Sequence, residues 1–169
     1  TALSTRFGGS QLNVPTASYY DTTTQTAAVA DTAYKVKFGN TTYQNGIVVS
    51  GIGGTTFTVE KPGIYNLLFT GQVISSSAST QEMHIWLAKN GVSVANSAHA
   101  FSTHNDEQRN TAQWTYNIVL AAADYIELMW AADTTTLGFE SEIASTPHPV
   151  VPSADITISF VSNIEGFAT

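Results

Sequence analysis

The chain has 169 residues, a formal net charge of −7, no cysteine, and only 11% charged side chains, against about 25% in an ordinary domain. One domain accounts for this length, disulfides are excluded, and a chain whose only arginines are Arg6 and Arg109 lacks the basic footprint of direct nucleic-acid binding. No run of about 18 apolar residues marks a membrane helix, and no charged-then-apolar leader precedes the first strand pattern.

Residues 1–30 are rich in Thr, Ser and Ala, and their apolar residues stand singly. No period of two or 3.6 holds for long. Two readings compete: a partly disordered terminus, or an extended N-terminal arm whose isolated side chains dock on a neighbour. The second is favoured, with Leu3, Phe7, Leu12, Val14, Tyr19 and Tyr20 as its anchoring residues.

From residue 31 the pattern changes, and a domain over 31–163 with a short tail at 164–169 is expected. Residues 33–38 alternate as a strand. Asn45-Gly46 signals a tight turn. Short strands follow at 47–49 and 55–59, the latter β-branched and aromatic. Pro62-Gly63 then punctuates the chain and opens the stretch on which the rest is organised. Here Tyr65, Leu67, Phe69 and Val73 share one face, with Asn66, Thr70 and Gln72 on the other. Leu68 is apolar on that polar face, so the strand has a second task beyond filling a core.

A polar loop at 75–80 leads to a strand at 83–88, a second Asn-Gly turn at Asn90-Gly91, and a returning strand at 92–100. After a polar loop at 102–110, Trp114, Tyr116, Ile118 and Leu120 share one strand face, as do Ile126, Leu128 and Trp130. A weaker strand covers 137–143. Pro147, Pro149 and Pro152 mark an irregular connection, because Pro cannot donate to a sheet ladder. Ile156, Ile158 and Phe160 close the pattern. About ten short strands without a helical period predict an all-β antiparallel sandwich, and a jelly roll fits the count. Its core is expected to hold Tyr65, Leu67, Phe69, Trp114, Ile118, Leu128, Trp130, Ile158 and Phe160.

Phe57, Gly63, Tyr65 and Phe69 resemble the F-x(5)-G-x-Y-x-F-x-[FY] signature of complement globular-head and tumour necrosis factor-like (TNF-like) jelly rolls, with Leu67 where that signature has Phe. IWLAKNGVSVANS at 85–97, YNIVLAAADYIELMW at 116–130 and ITISFV at 156–161 agree in order. Ala123 stands where such domains often carry Gly before the Asp. With its lead-in at 25–47, the chain also resembles structural proteins of marine and cyanobacterial tailed phages. The resemblance implies a homotrimer packed about a threefold axis, for which Leu68, Val119 and Val161 are the candidate interface residues, and a role in the virion.

The chemistry-bearing residues give no catalytic pattern. His84, His99, His104 and His148 lack the ligand spacing of a zinc site, and His104 with Asp106 and Glu107 reads as a solvated loop rather than a weak cation site. Ser75–Ser77 lack a nucleophile elbow. Glu140 and Glu142 share a strand face, and two solvated glutamates are favoured over a glycosidase pair. Trp86, Trp114 and Trp130 read as core rather than a sugar platform. Neither enzymatic activity nor a cofactor is expected.

Two functions from different classes follow. One is a trimeric capsid decoration protein that cements neighbouring copies of the major capsid protein at the virion surface. The other is a trimeric fibre tip that binds host glycans. A fibre tip hangs from a long shaft, and this sequence carries neither heptads nor repeats, which favours decoration if residues 1–169 are the whole gene product and the fibre if they are a fragment.

Overall fold

The structure, a computed structural model, describes residues 13–104 and 109–163. The first strands along the chain are β1 (Thr16–Asp21), β2 (Gln25–Thr26), β3 (Tyr34–Lys35), β4 (Asn40–Asn45), β5 (Ile47–Ser50), β6 (Thr56–Val59) and β7 (Gly63–Ser75). They are followed by β8 (Gln81–Lys89), β9 (Val92–Ser93), β10 (His99–Thr103), β11 (Arg109–Leu120), β12 (Tyr125–Ala132), β13 (Leu137–Phe139) and β14 (Ala154–Ser162).

β7 is the hub of the first sheet. One edge pairs along its length with β11, from Arg109↔Ile74 to Leu120↔Gly63. The other edge is shared, β14 covering Ile64 to Gly71 and β13 covering Val73 to Ser75. β1 lies beside β14, β4 beside β1, and β2 beside β13. The second sheet runs β10-β8-β12-β6-β5, with β3 on β12 and β9 on β8. Every strand pairing is antiparallel.

The core lies between the sheets, because alternating side chains turn one face of each strand inward. Tyr65, Leu67, Phe69, Ile158, Leu128, Trp130, Trp114 and Ile118 are buried, as the alternation predicts. Phe57 sits 5.0 Å from Tyr19 and 5.5 Å from Phe38, ring centre to ring centre. Phe69 meets Phe38 and Phe139 edge-on, a favoured quadrupole geometry. Gly71 permits this packing, since a Cβ there would come within 2.6 Å of the Phe139 ring.

Phe160 differs from expectation. It packs edge-on against Tyr65 at 5.6 Å but is only partly buried. The register shifts between Phe160 and Ser162, and a bulge turns the strand away from the regular pleat.

The N-terminal boundary also differs. Residues 16–21, expected in the arm, form a strand between β14 and β4, so the jelly roll begins well before residue 31. Ala17 and Tyr19 are fully buried, and the Tyr19 hydroxyl donates to the Ile47 carbonyl at 2.9 Å. The proposed anchors Leu3, Phe7 and Leu12, and the tail from residue 164, lie outside the described residues. Other expected strands are shorter: 33–38 pairs only at Tyr34–Lys35, though Val36 and Phe38 are buried. Residues 92–100 divide into β9 and the start of β10, and within 137–143 only 137–139 form a strand.

Candidate association surface

The outward face of the β7 sheet carries the residues singled out as interface candidates. Leu68, Val119 and Val161 are 50%, 53% and 57% exposed. Register places Val119 opposite Ile64, while Ile64's other edge meets the Phe160–Ser162 bulge that carries Val161. The three make an apolar row at the end of the sheet where β7 begins. Ile64 was not among the expected interface residues, although its even number puts it on the face of Leu68.

Between this row and Leu68 lies an amide and hydroxyl belt. Asn66 Nδ2 donates to Asn117 Oδ1 at 2.9 Å, and the Thr115 hydroxyl donates to the Leu67 carbonyl at 3.0 Å. Leu68 is flanked in register by Thr115 and Thr157, and the next outward row brings Gln113, Thr70, Asp155 and Tyr20 together. Burial pushes the Asp155 carboxyl above its ordinary pKa.

At the opposite end of β7, the Arg109 guanidinium reaches 2.6 Å from Glu140 and 2.7 Å from Glu142. Arg109 is on β11 while the glutamates follow β13, so this ion cluster spans β7. Gln72 joins it through Glu142. Both glutamates are therefore engaged with an arginine rather than flanking an open cleft as a glycosidase pair would. Beyond them the chain makes a hairpin, bridged at Glu142↔Val151 and Ser145↔His148, with an exposed Ile143.

The remaining candidates are dispersed. Val14 is half-exposed and Tyr20 partly buried on the outward face, whereas Tyr19 belongs to the core. His84 sits 3.3 Å from Glu82, and His104 shares a 2.8 Å hydrogen bond with Thr80; Asp106 and Glu107 lie outside the described residues. Among the described residues, no three His, Asp or Glu side chains converge as a metal site. Ser75 is buried against Gln81. Trp114 and Trp130 are core residues, but Trp86 stands on the outer face of the second sheet, its indole donating to Ser93.

No known family's sequence model matches the chain, and no curated protein matches it. Solved structures do match. The globular domain of zebrafish complement 1qA protein aligns at a TM-score of 0.55 and 13% identity, over 88% of this chain and 98% of that one. The fold is the TNF/C1q-like jelly roll. The Eiger TNF of S. frugiperda aligns at 0.56 and 10% identity over 93% of this chain and 98% of that one, and murine APRIL at 0.54 and 12% over 88% and 99%. At these identities, what is shared with these TNF/C1q-like jelly rolls is backbone architecture.

Proposed function

We propose that this chain is a non-enzymatic structural module that assembles as a homotrimer through the outward face of its β7 sheet. The observation that carries this reading is the apolar row of Ile64, Val119 and Val161, with Leu68 beyond it, on a face otherwise made of amides and hydroxyls. Isolated exposed apolar residues are ordinary, but a contiguous row on one sheet face marks an association site. An obligate interface buries roughly 2,000–5,000 Å², which calls for most of this face rather than the row alone. The TNF-like resemblance of the sequence supports threefold packing of this sheet.

The trimer's proposed role is capsid decoration, with the major capsid protein as partner and the virion capsid surface as location. This part rests on the phage-like lead-in at 25–47. Residues 1–12, with Leu3, Phe7 and Leu12, remain the proposed attachment segment, together with Val14 where the described chain begins. The alternative, a fibre tip that binds host glycans, is favoured by one observation, a small polar cleft at the sandwich edge between β2 and β3.

Sedimentation equilibrium at micromolar concentration tests the assembly: a trimer is expected, and a stable monomer overturns it. Copy number in purified particles then separates the roles, hundreds per particle meaning decoration and a few tens or fewer meaning fibre.

A further inference from the structure

The outward positions of β1, β7 and β14, and of β11 beyond Arg109, carry amides, hydroxyls, the Tyr20 phenol and apolar side chains, and Asp155 is the one charged group among them. In register Asp155 stands between Thr70 of β7 and Tyr20 of β1, with Gln113 of β11 beyond Thr70. On β4, Asn40 lies beside Tyr20, and Tyr43 lies beside Ser18 in the next row. Tyr20 is therefore the one other titratable group in the row of Asp155. The nearest cation along β7 is Arg109, two rows beyond Thr70, and it is already held by Glu140 and Glu142.

Other carboxylates of the fold have partners. Asp21 accepts from the Gly39 N–H at 2.9 Å, Asp124 pairs with Lys89 at 2.7 Å, and Glu127 pairs with Lys35 at 2.6 Å. Asp155 has neither an ion pair nor a side-chain hydrogen bond among the described residues. It is exposed on the single chain, yet its neighbours withdraw enough water to push the carboxyl above its ordinary pKa.

Leu68 lies one row from Asp155 and one strand across. An interface that takes in Leu68 and most of this face takes in Asp155 as well. An ionised carboxylate buried without a partner is strongly unfavourable, and such a group takes up a proton instead. The state that binds more protons is favoured as pH falls.

We propose that Asp155 makes assembly of this chain respond to acid, the three copies associating more tightly as pH falls and each taking up one proton at this carboxyl. The inference rests on the trimer reading above and adds its regulation. His84, His99, His104 and His148 titrate in a neighbouring range, but they stand on β8, β10, the loop after β10 and the hairpin beyond Glu142 rather than in this row.

The test is sedimentation of the full chain from nanomolar to micromolar concentration at constant ionic strength, with circular dichroism to confirm the fold at each pH. The concentration at which half the wild type is trimeric should fall roughly tenfold between about pH 8 and pH 5. Asp155→Asn, which keeps the shape and matches the surrounding amides, should assemble at pH 8 about as tightly as the wild type does at pH 5, and with little dependence on pH. Asp155→Ser serves as the second neutral variant. A wild-type trimer indifferent to pH, or one whose pH dependence survives in both variants, overturns this inference and leaves the trimer standing. Monomers of wild type and variants alike at every pH and concentration overturn the trimer reading and this inference with it.

Discussion

Asn90 Nδ2 donates to Asp124 Oδ1 at 2.7 Å, while Asn90 Oδ1 accepts from the Tyr125 backbone N–H at 2.9 Å. The pair ties the β8–β9 turn to the β11–β12 turn. Asp124 Oδ2 completes the junction by accepting from the Ala121 N–H and pairing with Lys89, both at 2.7 Å. Burial pushes the Asp124 carboxyl up, but the hydrogen bonds from Asn90, Lys89 and Ala121 and the lysine charge outweigh it, so its pKa is lowered.

Asp124→Ala should therefore destabilise the fold by about 1–3 kcal/mol at neutral pH, since it strands these donors. A lowered folded pKa makes the ionised carboxylate's contribution complete above the unfolded value of about 3.9 and lost as pH falls through the folded one. Thermal melts should show a wild-type advantage that is constant from about pH 7 to 5 and closes below about pH 4. A gap that persists in acid would mean the loss is one of packing.

One residue earlier, Ala123 has φ of 68°, a left-handed conformation that costs a residue with a Cβ about 1–2 kcal/mol. Glycine removes that cost and returns about 0.4–1 kcal/mol of it through the freer unfolded chain. Ala123→Gly should stabilise by up to about 1 kcal/mol, read as a higher denaturant midpoint at unchanged slope. Ala123, like Leu67, is a position at which the sequence departs from the pattern it resembles.

Tyr19 gives a third prediction. Burial pushes its phenol up from 10.0 to about 12. Tyr19→Phe removes the donor to Ile47 and should cost about 1–3 kcal/mol. A raised folded pKa means stability that is intact below the unfolded value and declines as pH rises toward the folded one, so wild type should lose more than Tyr19→Phe between about pH 10 and 12. Removing residues 1–28 deletes β1 and should abolish stable folding, whereas removing 1–12 should not; circular dichroism distinguishes the two.

The assembly prediction concerns Leu68 and Val119. Because both are half-exposed on the chain, Leu68→Asp and Val119→Asp should change monomer stability by no more than about 0.5 kcal/mol. Each should nonetheless convert the proposed trimer to monomer in sedimentation, since an unpaired charge buried at an interface is strongly unfavourable. Trimers that survive both changes would locate the interface on another face.

The strands legible in the sequence were those with one face in the core and one outside. β7, β8, β11, β12 and β14 all carry large apolar residues at alternate positions. β1 was not legible because Thr16-Ala17-Ser18 puts an alanine where the period needs bulk, and Tyr19-Tyr20 places the same residue on both faces. β4, Asn-Thr-Thr-Tyr-Gln-Asn, has no buried residue, so no hydrophobic period exists to be read. Of the outward face, Leu68 showed itself by breaking a polar pattern. Ile64, next to Gly63 at the strand's start, did not. The Arg109 cluster could not be foreseen, because its glutamates lie across an intervening strand. Nor could the cleft between β2 and β3, whose walls come from residues about 100 positions apart.

The register of β1 bears on how the molecule is made. β1 meets β4 within about 25 residues, but its other edge pairs Thr16 with Ser159 of β14, so that edge stays open until about 140 residues later, some 7–30 seconds at usual elongation rates. β7 waits as well, one edge met early by β11 and the other, beyond the three residues that β13 covers, bare until β14 arrives. Such long-range closure makes for slow folding. A nascent chain stalled before residue 154 holds its longest strand with an open, apolar-flanked edge, the state in which a molecular chaperone would find it and from which misassembly would start.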